Sequence, residues 1–283
     1  MKKIIFSVAT ALLLSNTMVM AKSSEQVSKD AINSAKMDMQ NSNIYVKKEA
    51  VRAVELTQKV LMDVVHKDKK SAIKDIESAI GKLEVALSAE KAPKILPIDV
   101  TLRSSEYVGD SKKIKEIILS VKDLLSDEKI QEARVLLNTL RSEVDVIMTG
   151  IPVATYPDAL KLAAKYLHNN ELDRADTILT TALSTLVKEV TVVPIPVIKV
   201  QGLIVEASHI AKKDKKQALA DLHAAKDELQ KAKILGYVSK SDVTYKYLER
   251  AIEKTEKEIK GKNKAEKLFE NLIKNIKSFK DKI

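Results

Sequence analysis

Two histidine–carboxylate pairs come closest to metal chemistry in this sequence. His209 follows Glu206 by three residues and His223 precedes Asp227 by four, spacings that put each pair on one face of a helix. If the two helices are neighbours, the pairs could meet as a nitrogen and oxygen donor set of the kind that holds zinc. Exposed or half-buried histidines account for the same residues without a ligand, and no metal or other cofactor is expected. His66 and His168 stand apart from any such pattern. The carboxylate pairs Asp173/Asp176 and Asp227/Glu228 fall on polar faces, where solvation is the expected role. The sequence has no nucleophile elbow, P-loop, dinucleotide glycine fingerprint, zinc-protease spacing or calcium loop, and its 6 scattered glycines cannot cradle a phosphate. With no cysteine there is no thiol nucleophile, disulfide or lipid attachment through Cys. No catalytic residue is assigned, and a protein that is not an enzyme is expected.

The elements that would position any site must be mostly helical. Glycine and proline contribute 6 residues each to a chain of 283, too little turn material for an all-β or many-looped fold. Hydrophobic content of 45% and charged content of 31% describe a folded chain, and the lack of Trp leaves a core of Leu, Ile, Val and Ala. The excess of basic residues is spread along the chain. Glu249/Glu253, Lys254/Glu258 and Glu256/Lys260 alternate at helical spacing, which reads as a solvated face and gives no nucleic-acid stripe.

The first segment sets an expected compartment. Lys2 and Lys3 precede the apolar run Ile4 to Leu14, and Val19-Met20-Ala21 offers small residues where a signal peptidase reads. Ser15, Asn16 and Thr17 interrupt the run well short of the ~20 residues a spanning helix needs. Cleavage after Ala21 is expected, giving an exported periplasmic chain with no transmembrane anchor. Loss of Lys2 and Lys3 lowers the formal charge from +10 to +8.

Helical periodicity covers Ser24 to Met39 and Ile44 to Val65, with Asn41-Ser42-Asn43 as a weak point, and then the stretch from Asp68-Lys69-Lys70 to Leu87. Asp110 or Ser111 starts a helix with the stripe Ile114, Ile117, Ile118, Val121, Leu124 and Leu125. Asp127 is the expected N-cap of its partner, whose stripe is Ala133, Leu136, Leu137, Leu140 and Val144. Thr155-Tyr156-Pro157-Asp158 reads as a capping box. Gly236 reads as the C-terminal cap of a helix that begins near Gln217. The periodicity lapses near 95–108, 144–153 and 190–197, where short extended segments could share a small sheet; Pro194 and Pro196 restrict the last to an edge. The expected fold is mainly α, an array of antiparallel helical hairpins. Its organisation is a signal peptide over 1–21, a helical domain over 22–236 and Lys-rich helices over 237–283.

The chain echoes itself. Asp68-Lys69-Lys70-Ser71-Ala72-Ile73-Lys74-Asp75-Ile76 recurs 146 residues later as Asp214-Lys215-Lys216-Gln217-Ala218-Leu219-Ala220-Asp221-Leu222, and Leu83/Leu229 continue the register. A second echo, at an offset of 42, pairs Ala133, Leu136 and Leu137 with Ala175, Ile178 and Leu179. The general likeness of amphipathic helices explains the second equally well. Hairpins of this kind must stack, because none buries its apolar face alone.

Several segments in one order carry a family resemblance. They are Pro97-Ile98-Asp99-Val100, Glu132-Ala133-Arg134-Val135-Leu136-Leu137, Ile151 to Leu160, Thr185-Leu186-Val187, Val193-Pro194-Ile195-Pro196-Val197 and Leu235-Gly236-Tyr237. The set resembles the YfdX family of exported bacterial proteins over roughly Ile44 to Tyr237, and the Lys-rich tail carries no match. The resemblance implies a mainly helical, non-enzymatic periplasmic protein tied in enteric bacteria to acid stress, with chaperone-like and small-molecule-binding behaviour and a tendency to form homo-oligomers. The first expectation is therefore a stress-related binder of other periplasmic proteins, with Tyr156, Pro157, Pro194 and Pro196 as the candidate interaction surface. Acid would raise the positive charge, loosen intersubunit contacts and expose that surface. A small-molecule-binding protein is the alternative, and a tetratricopeptide-like scaffold built on Leu160 to Leu186 is a third reading.

Overall fold

The computed structural model describes residues 22–41, 48–88, 93–239, 243–261 and 265–280. The signal peptide expected at 1–21 and the Ser42-Asn43 part of the weak point lie outside them. In order, the elements are α1 (Ser24–Asn41), α2 (Lys48–Val65), α3 (Lys69–Leu87), β1 (Ile95–Ser105), α4 (Ser111–Ser126), α5 (Ile130–Thr139), β2 (Glu143–Pro152), α6 (Tyr156–His168), α7 (Leu172–Ser184), β3 (Val187–Pro194), α8 (Ile195–Ile210), α9 (Lys215–Ile234), α10 (Val243–Lys260) and α11 (Glu266–Lys280). The chain is mainly α with one small antiparallel sheet of order β1-β2-β3. Among the described residues no helix is long and apolar enough to cross a membrane.

The proline rule places β3 correctly at an edge, with Pro194 as its last residue. Extended structure does not reach Val197. Pro196 lies in the first turn of α8, where its missing N–H has no helical acceptor to lose. Gly150 marks the close approach of β1 and β2, since a Cβ there would lie 2.4 Å from Ile95 Cγ2.

The helical hairpins share a turn chemistry that explains their form. At the end of α2, Asp68 N–H donates to Asp63 O and Lys67 N–H to Val64 O; at the end of α4, Lys129 donates to Leu124 O and Glu128 to Leu125 O; at the end of α6, Glu171 donates to Tyr166 O and Asn170 to Leu167 O. Each is the paired bonding of a Schellman ending, with a left-handed residue at its centre: Lys67 at φ 60°, Glu128 at 60° and Asn170 at 63°. Gly236 closes α9 in the same way at φ 85°, with Tyr237 N–H donating to Ala232 O. Two expected caps are corrected here. Asp127 ends α4, and α5 begins after Lys129 without a side-chain cap. Thr155 precedes α6 but makes no capping bond, so the capping box does not form.

The chain divides into two compact units. One comprises residues 43–101 and 146–190. Its core is the stacking of two hairpins, α3 on α6 and α2 on α7, which buries Ala53, Val60, Ile76, Leu83, Leu160, Leu167 and Leu179. The other comprises residues 1–42, 102–145 and 191–283. Its core centres on the α8–α9 hairpin with Val200, Leu203, Leu222 and Leu229, and the Lys-rich α10 and α11 add Tyr245, Leu248, Ile252, Leu272 and Phe279 to it. Gly202 admits α1 against α8, since a Cβ there would stand 2.4 Å from that of Ala31.

The 146-residue echo is carried by side chains as well as sequence. Asp68 and Asp214 each accept from the backbone N–H three residues on, at 3.1 and 2.9 Å. Ile76/Leu222 and Leu83/Leu229 are buried alike.

Candidate functional site

The α4–α5 hairpin is where helical chain and burial part company. Both helices have apolar stripes, yet α4 fully buries only Ile114 and Val121, and α5 only Ala133. Helix α5 packs chiefly on α4, and α4 in turn touches α9. On the same helical faces as buried Ile114, Val121 and Ala133, the hairpin still presents Leu125 at 48%, Ile130 at 57% and Leu137 at 48% exposure, beside half-buried Ile118. Leu119 and Val135 are also exposed, on other faces. The seven-residue spacing of Ile118 to Leu125, and of Ile130 to Leu137, aligns them as one stripe per helix. Leu125 and Leu137, expected in the core, are thus corrected to the surface. Their period is helical as expected; what the sequence does not display is how much of that stripe the neighbouring helices cover. The usable signal was a stripe wider than a single neighbouring helix can bury.

The basic side chains Lys115, Lys122 and Arg134 border this stripe and are exposed. Among the described residues none of the three has an ion-pair partner, whereas Lys113 is paired with Glu116, and Arg141 with Glu143 and Asp145. The surface is therefore an apolar centre with a free cationic margin, suited to binding and offering no reacting group.

The residues singled out as an interaction surface lie elsewhere. Tyr156 is fully buried in the core of the 43–101 and 146–190 unit, and Pro157 beside it is half-buried. Burial pushes the Tyr156 hydroxyl up to about 12. Pro194 and Pro196 are buried in the other unit. Loosening contacts between subunits would not expose Tyr156, Pro194 or Pro196, because they are interior to a single chain.

Tyr237 has a structural part. Its hydroxyl accepts from Ser142 N–H at 2.8 Å and donates to Glu143 at 2.7 Å, and Arg141 Nε donates to the same Glu143 at 2.7 Å. Burial raises the phenol above its ordinary value. His209 and His223 are exposed, and His223 Nε2 is 3.9 Å from Asp227. Among the described residues no three His, Asp or Glu side chains converge as a metal site.

A pocket of about 410 Å³ lies between the ends of α8, α10 and α11. Ala211, Ile259, Phe269 and Ile273 form its apolar wall, and Lys212 is ion-paired with Glu266 at its edge.

Residues 53–192 match the family described as YfdX protein. The span runs from α2 through β3, so it contains the α4–α5 face and excludes the α8–α11 pocket. A solved structure of Salmonella Typhi YfdX is similar over 53% of this chain and 93% of its own, at 12% identity and a TM-score of 0.37. No curated protein matches the chain.

Proposed function

Residues 53–192 belong to the YfdX family, and from that premise we propose that this protein is a non-catalytic, exported binder of apolar segments of other proteins, acting in stress as a chaperone. The observation that carries the reading is the exposed apolar group Leu125, Ile130 and Leu137 on α4 and α5, beside half-buried Ile118. A binder of client segments needs apolar surface open in the folded state, and this surface lies inside the family region. The periplasm is the proposed compartment, from the signal peptide read in residues 1–21.

Suppression of the thermal aggregation of a client protein tests the reading. Wild type is expected to protect near stoichiometry and to bind an apolar dye, and Ile130→Ser/Leu137→Ser to lose most of both. Dye binding without any protection would overturn the chaperone role.

A second reading is favoured by the pocket at α8, α10 and α11. Its volume of about 410 Å³ and apolar wall fall within the ~300–1,000 Å³ range of small-molecule sites. Saturable binding of one small ligand, abolished by Phe269→Arg and unaffected by Leu137→Ser, would favour it. The pocket lies outside residues 53–192, which is why the α4–α5 surface is preferred.

A further inference from the structure

The sequence alternates lysine and glutamate along α10, and the fold sorts them. Lys246, Arg250, Lys254 and Lys257 are all exposed, whereas the carboxylates among them, Glu249, Glu253, Glu256 and Glu258, are all half-buried. Lys226 of α9 draws Glu253 aside at 2.5 Å, and Glu249 accepts from the Tyr245 hydroxyl at 3.2 Å. On α11, Glu266 is taken up by Lys212. Among the described residues none of the four cations has an ion-pair partner. Tyr245, Leu248, Ile252 and Ile259 bury the other side of α10, so positions 246, 250, 254 and 257, at steps of four and three, form one outward ridge. It runs for about 17 Å at ~1.5 Å per residue. Tyr247, 47% exposed, stands at its edge.

A solvated helix face is ordinarily laced with opposite charges, and this ridge is not. Lys246/Arg250 and Arg250/Lys254 are like-charge pairs at i,i+4, each of which opposes the helix that carries it. Helix α11 extends the same layer: it packs beside α10, with α10 on α9 and α11 on α8. Lys267 and Lys274 are exposed on it, turned away from its buried Phe269, Leu272 and Ile276. Residues 243–283 hold 12 Lys and Arg against 7 Asp and Glu, so the charge excess read as spread along the sequence is in fact weighted to its end. An anionic partner would relieve a repulsion that no described side chain relieves. Two helices side by side present a broad face, whereas a nucleic-acid strand calls for a groove with several stacking aromatics, and the exposed ridge has Tyr247 alone. The apolar sides of α10 and α11 are committed to the core, so the layer can lie on an anionic surface and cannot insert into it.

We propose that the outward face of α10 and α11, centred on Lys246, Arg250, Lys254 and Lys257, docks the protein reversibly on the surface of an anionic lipid bilayer. The face lies outside residues 53–192, and the proposal goes beyond the binding of apolar segments described above.

Vesicle co-sedimentation tests it, with the full chain and vesicles of phosphatidylcholine alone or mixed equally with phosphatidylglycerol. Wild type is expected to sediment with the mixed vesicles only, and to be released as salt is raised. Arg250→Gln/Lys254→Gln/Lys257→Gln should weaken that partition on the order of 100-fold, since each basic side chain near an anionic surface is worth about fivefold. Lys70→Gln/Lys74→Gln/Lys165→Gln removes the same charge from exposed places in the other unit and should leave the partition close to that of wild type. Both variants should keep the circular dichroism of wild type. Equal losses in the two would reduce the effect to net charge and overturn the proposal. Equal partition onto phosphatidylcholine alone would overturn it as well, and would assign lipid binding to apolar surface such as that of α4–α5. Binding of heparin or single-stranded DNA with none of vesicles would give the ridge to a soluble polyanion, the third result that overturns it.

Discussion

Leu83 and Leu229 stand at equivalent places in two helices, and each is closed off from solvent. Truncation of either to Ala leaves a cavity in a layer with nothing to collapse into it, so Leu83→Ala and Leu229→Ala should each cost about 2–5 kcal/mol by denaturant unfolding. A loss well under 1 kcal/mol on Leu229→Ala would show that the echo has no structural weight. Tyr156 adds a contrast at the same scale. Its ring is buried, and its hydroxyl has no formed hydrogen bond while the neighbouring Thr57 hydroxyl donates to Ala53 O at 2.8 Å. Tyr156→Phe should therefore change stability by less than about 1 kcal/mol, and Tyr156→Ala should cost about 3–5 kcal/mol. Tyr156 was conspicuous in sequence because Tyr-Pro-Asp is an unusual string. Its place in the core was not legible, because a helix period locates the buried face but not which neighbour buries it.

Turns explain why the hairpins were legible as elements and their capping was not. Asp68 and Asp214 announce themselves, since an aspartate before a helical run has an obvious N–H to accept. The Schellman endings at Lys67, Glu128 and Asn170 carry no glycine, so the residue type that usually marks them is missing, and Asp127 has the residue type of an N-cap while standing at the end of α4. A lysine or glutamate at φ 60° holds a left-handed conformation that glycine adopts without strain. Glu128→Gly should raise stability by about 1 kcal/mol, and Asn170→Gly by less because asparagine tolerates that region better. Thermal unfolding of the two variants checks the order, and a destabilised Glu128→Gly would mean that its side chain contributes more than the turn strain removes. The edge strand was legible because proline lacks an N–H. The early start of α8 was not, since the same property allows Pro196 to open a helix.

Over the whole molecule, acid acts through groups of opposite sign. Asp221 is buried, accepts from Ser24 Oγ at 2.6 Å and Gln217 Nε2 at 3.0 Å, and is raised above its ordinary 3.8 chiefly by burial. Asp63 is raised from 3.8 first by burial and then by the neighbouring Asp75. For both, the folded state binds more protons than the unfolded one in a window that opens above 3.8. Stability from these two must therefore rise as the pH falls through their folded values. Asp30, held low by its bond to Lys22, and Asp68, held low by the Ser71 N–H, act in reverse: their contribution is present above 3.8 and is lost as the pH falls below it. General self-repulsion adds to that loss once the carboxylates are neutral. Unfolding stability should thus pass through a maximum on the acid side of neutrality. Asp63→Asn/Asp221→Asn keeps an acceptor oxygen at each place and removes the charge. This variant should be more stable than wild type at pH 7, and the difference should shrink toward pH 4 as denaturant titrations are repeated down the series. A difference that grows with acid would reverse the assignment of both groups. The exposed stripe of Leu125, Ile130 and Leu137 needs no such titration to open, so apolar dye binding should be present at pH 7 and unchanged at pH 5. Dye binding that appears only in acid would mean that a charge-driven rearrangement, and not the standing α4–α5 face, supplies the binding surface.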